Sequence, residues 1–228
     1  MIQQPLVIAI DGPAGSGKST TSKEVARRLG LGYLDTGAMY RAVTLAVLDA
    51  GVPTDEPEAV AQATREASID ISLDPDDFWV RIGGRDVTSE IRSGRVTENA
   101  AIISTNAACR ADLVARQRAL MESDPRGVVA EGRDITTVVY PEAPVRVLLT
   151  ASEDARLARR RGDVGNTVTN EQLRTQVLKR DQADSALVEF QTAADGVRLL
   201  DTTDLTFADV VDAIVTQARE VITKEAAQ

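Results

Sequence analysis

Histidine is absent from the 228 residues. That excludes a histidine-dependent nucleophilic triad and any imidazole proton shuttle. A single cysteine, Cys109, excludes an internal disulfide framework and a cysteine-based zinc site. Such sparing use suits a reducing compartment, and the cytoplasm is expected. Aromatic residues make up only 3%, and no stretch interleaves them with basic residues as single-strand binders do. Apolar runs such as Val128-Val129-Ala130 and Val147-Leu148-Leu149 fall far short of the roughly 20 residues needed to cross a bilayer. The first five residues carry no basic n-region, so no secretory signal is expected. Positive charge is the minority: 26 Lys and Arg against 35 Asp and Glu give a net charge of −9. Broad attraction to nucleic acid or to an anionic membrane is therefore disfavoured. Any catalysis falls to carboxylates, a lysine, arginines, a metal or backbone dipoles.

What is present suits one globular unit with an inserted lobe: 43% hydrophobic and 27% charged residues. Only Lys18, Lys23, Lys179 and Lys224 are lysines, so arginine dominates the basic set. Its planar fork suits bidentate phosphate binding. A GC-rich genome explains the total equally well, so position carries the argument rather than number.

Leu6-Val7-Ile8-Ala9-Ile10 is a continuous, β-branched apolar run, the pattern of a strand buried on both faces. A Gly-rich loop follows, then a helix with Val25, Ala26 and Leu29 on one face and Lys23, Glu24, Arg27 and Arg28 on the other. Gly30 and Gly32 end it. Tyr33-Leu34 reads as a second strand, and Met39, Val43, Ala46, Val47 and Ala50 recur at helical spacing. Ile69 to Leu73 alternates with period two, and Phe78 to Ile82 leads through Gly83-Gly84 into Arg85-Asp86-Val87-Thr88. These form a small antiparallel unit. Helices are expected from Val96 to Thr105 and from Arg110 to Met121. Strands return at 127–131, 145–149 and 197–201. Between the last two, Ser152 caps a helix carrying Arg156, Arg159, Arg160 and Arg161. A loop is expected at 162–166, and another helix from Asn170 to about Asp184. Phe207, Val210, Val211, Ile214 and Val215 give a terminal amphipathic helix. Five strands alternating with helices imply an α/β fold, a doubly wound parallel sheet whose ligands bind at the carboxyl ends of the strands.

Gly12-Pro13-Ala14-Gly15-Ser16-Gly17-Lys18-Ser19 matches the P-loop pattern in full, between a buried strand and an amphipathic helix as that motif requires. Glycines let backbone N–H groups turn inward onto phosphate oxygens, and the helix starting near Lys18 adds its positive end. Lys18 reaches the β- and γ-phosphates, the Ser19 hydroxyl ligates Mg²⁺, and Thr20 completes the ATP-binding run. No Asn-Lys-x-Asp motif and no apolar run ending in Asp-Glu is visible, which argues against GTPases, helicases and transport ATPases. A small kinase remains, and such an enzyme needs a second anion site. Asp35-Thr36-Gly37-Ala38-Met39-Tyr40-Arg41 and Glu131-Gly132-Arg133-Asp134 each follow a strand and so fall at the same sheet edge. Arg41 and Arg133 then lie about where an acceptor phosphate must be.

Together with Arg180-Asp181-Gln182-Ala183-Asp184-Ser185 and Gly84-Arg85-Asp86-Val87-Thr88-Ser89-Glu90-Ile91-Arg92, these motifs resemble bacterial-type cytidylate kinases over nearly the whole chain. The resemblance implies a three-layer P-loop fold with a five-stranded parallel sheet and a helical lid. Its parts would be a core (about 1–36, 126–155 and 185–228), an acceptor-binding insert (about 37–125) and a lid (about 156–184). It implies phosphoryl transfer from ATP with Mg²⁺ to CMP or dCMP, by a cytoplasmic monomer with no nucleic-acid or membrane partner. Carried over residue by residue, Lys18, Arg41, Arg133 and a lid arginine, taken as Arg160, are catalytic. Thr36, Tyr40, Arg41, Arg110, Gly132, Arg133, Asp134, Arg180 and Asp184 bind CMP. Asp134 reads cytosine, whose exocyclic amine is a donor where uracil presents an acceptor. Asp35 either joins the Mg²⁺ shell or caps its own turn. Two positions depart from the pattern: Ala101 stands where a serine is common, with Ser104 the candidate replacement, and Leu187 stands where an arginine is common. The competing expectations are a kinase of another small metabolite and an ATP-dependent nucleic-acid binder.

Overall fold

The computed structural model describes residues 5–164 and 192–226. Strand β1 (Val7–Asp11) is buried along its whole length. Val7 and Ala9 enter the apolar cluster on one face of the sheet, Ile8 and Ile10 the cluster on the other. The alternating pleat thus explains why the run is apolar at every position. Helix α1 (Lys18–Leu29) starts from Gly17, at φ 87°, and stops at Gly30, at φ 68°, a left-handed end that glycine adopts without steric cost. Strand β2 (Gly32–Asp35) runs directly into helix α2 (Thr36–Asp49), whose first turn is capped by the Asp35 carboxylate accepting from the Ala38 N–H.

The connection from β2 back to the sheet holds the smaller unit. Helix α3 (Pro57–Glu66), with proline in its first turn, precedes β3 (Ile69–Ile71), β4 (Val80–Ile82) and β5 (Arg85–Asp86). These strands form an antiparallel sheet in that order. A 3-10 turn (Glu90–Arg92) and helices α4 (Gly94–Asn99), α5 (Ala101–Ser104) and α6 (Ala107–Ser123) follow. The core resumes with β6 (Val128–Gly132), a π turn (Ile135–Val139), β7 (Val145–Thr150), α7 (Glu153–Val164), β8 (Arg198–Asp201) and α8 (Phe207–Ala226). The main sheet is wholly parallel, in the order β2-β6-β1-β7-β8. Among the described residues no helix is long and apolar enough to cross a membrane.

Four expectations need correction. The helix expected from Val96 to Thr105 is two short ones, α4 and α5, divided at Ala100. Thr97 and Asn99 turn their side chains back onto the Ser93 and Arg95 carbonyls, a back-bonding that tends to bend helices. The return strand stops at Asp86, whose carboxylate takes the Thr88 N–H, while the Thr88 hydroxyl supplies the next rung by accepting from the Val80 N–H. Strand β4 starts at Val80 rather than Phe78. Gly162, Asp163 and Val164, expected in a loop, continue α7; one interior glycine costs only about 1 kcal/mol, which the preceding turns carry. Helix α3 has no counterpart in the sequence reading. The helix expected from Asn170 lies outside the described residues.

Candidate active site

The phosphate loop joins β1 to α1. Its close packing demands glycine at Gly12, where a Cβ would come within 2.4 Å of the Leu149 carbonyl oxygen. The same holds at Gly15, at φ 78°, where a Cβ would lie 2.9 Å from the Arg156 carbonyl oxygen. The first N–H groups of α1 have no partner within the helix and face this loop. The Lys18 ammonium lies 3.4 Å from the Pro13 carbonyl oxygen and 3.9 Å from the Glu131 carboxylate. The Ser16 hydroxyl is buried with no hydrogen-bond partner among the described residues. Ser19 and Thr20 are exposed at the mouth of the loop, with Thr20 donating to the Gly17 carbonyl at 2.9 Å.

Helix α7 braces this loop from the far side. Arg156 donates to the Ala14 carbonyl at 3.2 Å and Arg159 to the Ser16 carbonyl at 3.3 Å. Arg159 also grips Thr202 through its hydroxyl at 2.8 Å and its carbonyl at 2.6 Å. Of Arg160 only the backbone, in α7, is described.

Glu131, on β6, is the residue that sequence reasoning missed. In the sequence it stands at the end of a strand and opens Glu131-Gly132-Arg133-Asp134, with nothing to mark a role. Its carboxylate is fully buried, accepts from the Tyr33 hydroxyl at 2.7 Å, and is bonded by Ser19. Burial, reinforced by the neighbouring Asp35 carboxylate, holds its pKa above the ordinary glutamate value, while Lys18 opposes that shift. The other Asp35 oxygen lies 3.4 Å from the Arg92 guanidinium. Lys23 packs over the rings of Tyr33 and Phe78, 5.3 and 4.9 Å from their centroids. Desolvation, then the nearby Arg92, lowers its pKa. The only hint of this cluster in the sequence is the placement of Asp35 and Glu131 at strand ends.

Among the described residues, those carried over for CMP lie on α2, on α6, and on the end of β6 with the turn after it. Arg110 and Asp134 meet across α6 and the turn after β6, with a 2.6 Å ion pair. The Tyr40 hydroxyl is buried with no hydrogen-bond partner among the described residues. Burial, with the Asp134 charge next, pushes its pKa up to about 12. Arg41 projects from α2 and donates to the Ile91 carbonyl at 3.1 Å and the Thr97 hydroxyl at 3.0 Å. Arg133, half-buried, shares a small cavity with Asp11, Thr136, Thr137 and Leu148. Thr36 is buried and donates to the Glu131 carbonyl at 2.7 Å, so its hydroxyl fastens α2 to β6. Gly132 has no room for a side chain, since a Cβ would sit 2.7 Å from that same hydroxyl. Ala101 is exposed and Ser104 half-buried, both in α5. Arg180, Asp184 and Leu187 lie outside the described residues.

β1 and β6 are neighbours, with Asp11 paired to Gly132. The phosphate loop and the arginine-aspartate loop therefore leave the sheet side by side, and the fold and site define a small P-loop kinase. Among solved structures, a gluconokinase from Sinorhizobium meliloti 1021 shares the fold, with a TM-score of 0.50 at 13% identity, covering 99% of this chain and 98% of that one. A family model described as cytidylate kinase matches residues 8–220. A cytidylate kinase from Cutibacterium acnes is 44% identical over 216 residues, 94% of this chain and 96% of the relative. One from Mycolicibacterium paratuberculosis is 46% identical over 213 residues, 91% and 92% of the two chains. The chain belongs to the cytidylate kinase family.

Proposed function

We propose that this chain transfers the γ-phosphoryl group of ATP to CMP or dCMP, giving ADP and CDP or dCDP. The observation that carries the reading is the level register of Asp11 and Gly132, which brings the loop starting at Gly12 beside the Arg133–Asp134 loop. Phosphoryl transfer asks little covalent chemistry of a protein; it needs two nucleotides in line and positive charge around the spreading transition state. A chain without histidine meets that demand. The loop from Gly12 to Thr20 would hold the ATP phosphates, with Lys18 on the β- and γ-oxygens. Arg41 and Arg133 would hold the CMP phosphate, and Arg160 of α7 would approach the transferred group. Asp134 would accept from the cytosine amine, Arg110 would line the same base edge, and the unsatisfied Tyr40 hydroxyl would meet a polar group of the nucleotide. Thr36 and Gly132 shape the floor, and Arg180 and Asp184 keep the roles that the resemblance gives them.

Mg²⁺ fits the donor set. The Ser19 hydroxyl and the Glu131 carboxylate it bonds, with Asp35 adjoining, offer the few oxygen ligands that Mg²⁺ takes when most of its shell is phosphate and water. Bound there, it would neutralise charge on the β- and γ-oxygens. Asp35 also serves as the helix cap, so one carboxylate oxygen is already engaged. The insert and the lid would close over both nucleotides and exclude water. Both subsites lie on one chain, so the proposed active unit is a monomer, and the cytoplasm is its proposed location.

An ADP-release assay across CMP, dCMP, UMP, AMP, shikimate and gluconate tests the reading. CMP and dCMP should be the preferred acceptors. Turnover of a sugar or of shikimate with none on CMP would overturn it.

A further inference from the structure

Asp11 ends β1, one residue before the phosphate loop begins. Its carboxylate is buried, and burial raises its pKa. It accepts three hydrogen bonds, all from the turn that follows Arg133 and Asp134: the Ile135 N–H at 3.0 Å, the Thr136 N–H at 2.8 Å and the Thr136 hydroxyl at 2.7 Å. The far side of that turn folds back on Asp134, whose carbonyl accepts from the N–H groups of Val138 at 2.8 Å and Val139 at 3.0 Å. Arg133 and Asp134 therefore sit between a strand end and a turn that Asp11 holds. A buried carboxylate is costly, and filling space between two strand ends does not require one. Its hydrogen bonds fasten the arginine-aspartate loop to the strand from which the phosphate loop departs.

We propose that Asp11 is a positioning residue that fixes the spacing between the donor loop starting at Gly12 and the Arg133–Asp134 clamp, and so tunes acceptor binding and base choice. The inference rests on the CMP kinase reading given above. Misplacing reacting groups by about 1 Å costs up to about 100-fold in rate, so a loosened clamp is measurable. Asp11→Asn keeps the shape but presents an amide N–H to N–H donors. It should raise the KM for CMP about tenfold, lower kcat, narrow the CMP-over-UMP preference and leave the KM for ATP within about twofold of wild type. Thr136→Ala removes one of the three donors and should shift the same parameters less, with Thr136→Ser restoring them. The threonine pair decides the matter should Asp11→Asn fail to fold. Unchanged CMP kinetics and base preference in variants whose only defect is a lower melting temperature would overturn the proposal, as would equal losses for CMP and ATP. Wild type inactive on CMP would instead refute the functional reading. An active wild type with indifferent variants refutes the brace alone.

Discussion

Arg133 shows how one side chain separates binding from turnover. It lines a cavity with Asp11 and Thr136 beyond the end of β6, and in the proposed function it holds the acceptor phosphate while the loop after β1 holds ATP. Arg133→Ala should therefore cut kcat on CMP by about 100- to 1000-fold, the scale for losing one preorganised charge-stabilising group. ATP binding measured by calorimetry should stay near wild type, and equal loss of both would contradict the assignment. Asp134 makes a different demand. Its carboxylate accepts from Arg110 at 2.6 Å and is buried, so it is a fixed acceptor, proposed to face the base edge. Asp134→Asn introduces a donor there and should reduce the advantage of CMP over UMP by about 1–3 kcal/mol, roughly 5- to 150-fold in the ratio of kcat/KM. An unaltered ratio would confine Asp134 to holding Arg110.

Elements with local causes were legible in the sequence, and elements with distant causes were not. β1, the phosphate loop and α1 follow from a continuous apolar run, a spaced set of glycines and a 3.6-residue pattern, all within about one βα unit. The strands at 128–132 and 145–150 were legible for the same reason. The role proposed for Asp11 was not, because the partner that explains it is Thr136, 125 positions away. Glu131 was visible only as the first residue of a motif; its burial against Tyr33 and Lys18 depends on β6 lying between β1 and β2. The break at Ala100 also escaped the sequence, since alanine gives no stop signal. The turn into β6 offers a test at this scale. Asp124 is held by Arg126 through a 2.6 Å contact, and that hydrogen bond lowers its pKa below the ordinary aspartate value. The sign follows: a depressed carboxylate stabilises the fold above its unfolded value near 4, and that contribution disappears as pH falls through the lower folded value. Asp124→Asn should cost about 1 kcal/mol or less at pH 7, because the arginine is largely exposed, and so roughly 2–4 °C in Tm. The gap should close below about pH 4; a gap that persists there would assign the loss to packing.

On the scale of the whole molecule, the smaller sheet is part of the same apolar core as the parallel one. Val60, Ile71, Val80, Val87 and Ile91 from the β2–β6 connection share one buried cluster with Val7, Ala9, Leu34, Val128 and Ala130 of the parallel sheet. The loop before β4 is also strapped to α1 and β2. Arg27 donates to the Asp76 carboxylate at 2.5 Å and the Pro75 carbonyl at 3.0 Å, the Tyr33 N–H donates to the Leu73 carbonyl at 2.8 Å, and Phe78 meets the Tyr33 ring edge-on at 5.8 Å. The Arg27–Asp76 pair is exposed and stabilises little; the shared core is the larger effect. Motion of the smaller unit is then bounded, since swinging away as a separate domain would expose those five side chains. Ile91 is fully buried in this cluster, and its main-chain carbonyl receives Arg41. Ile91→Ala should cost roughly 2–5 kcal/mol, lowering Tm by about 4–20 °C at 2–4 °C per kcal/mol. The loss should appear in one cooperative transition whose calorimetric and van't Hoff enthalpies agree. A second, earlier transition confined to the variant would mean that the smaller unit melts on its own and that the two sheets are coupled only through the strap.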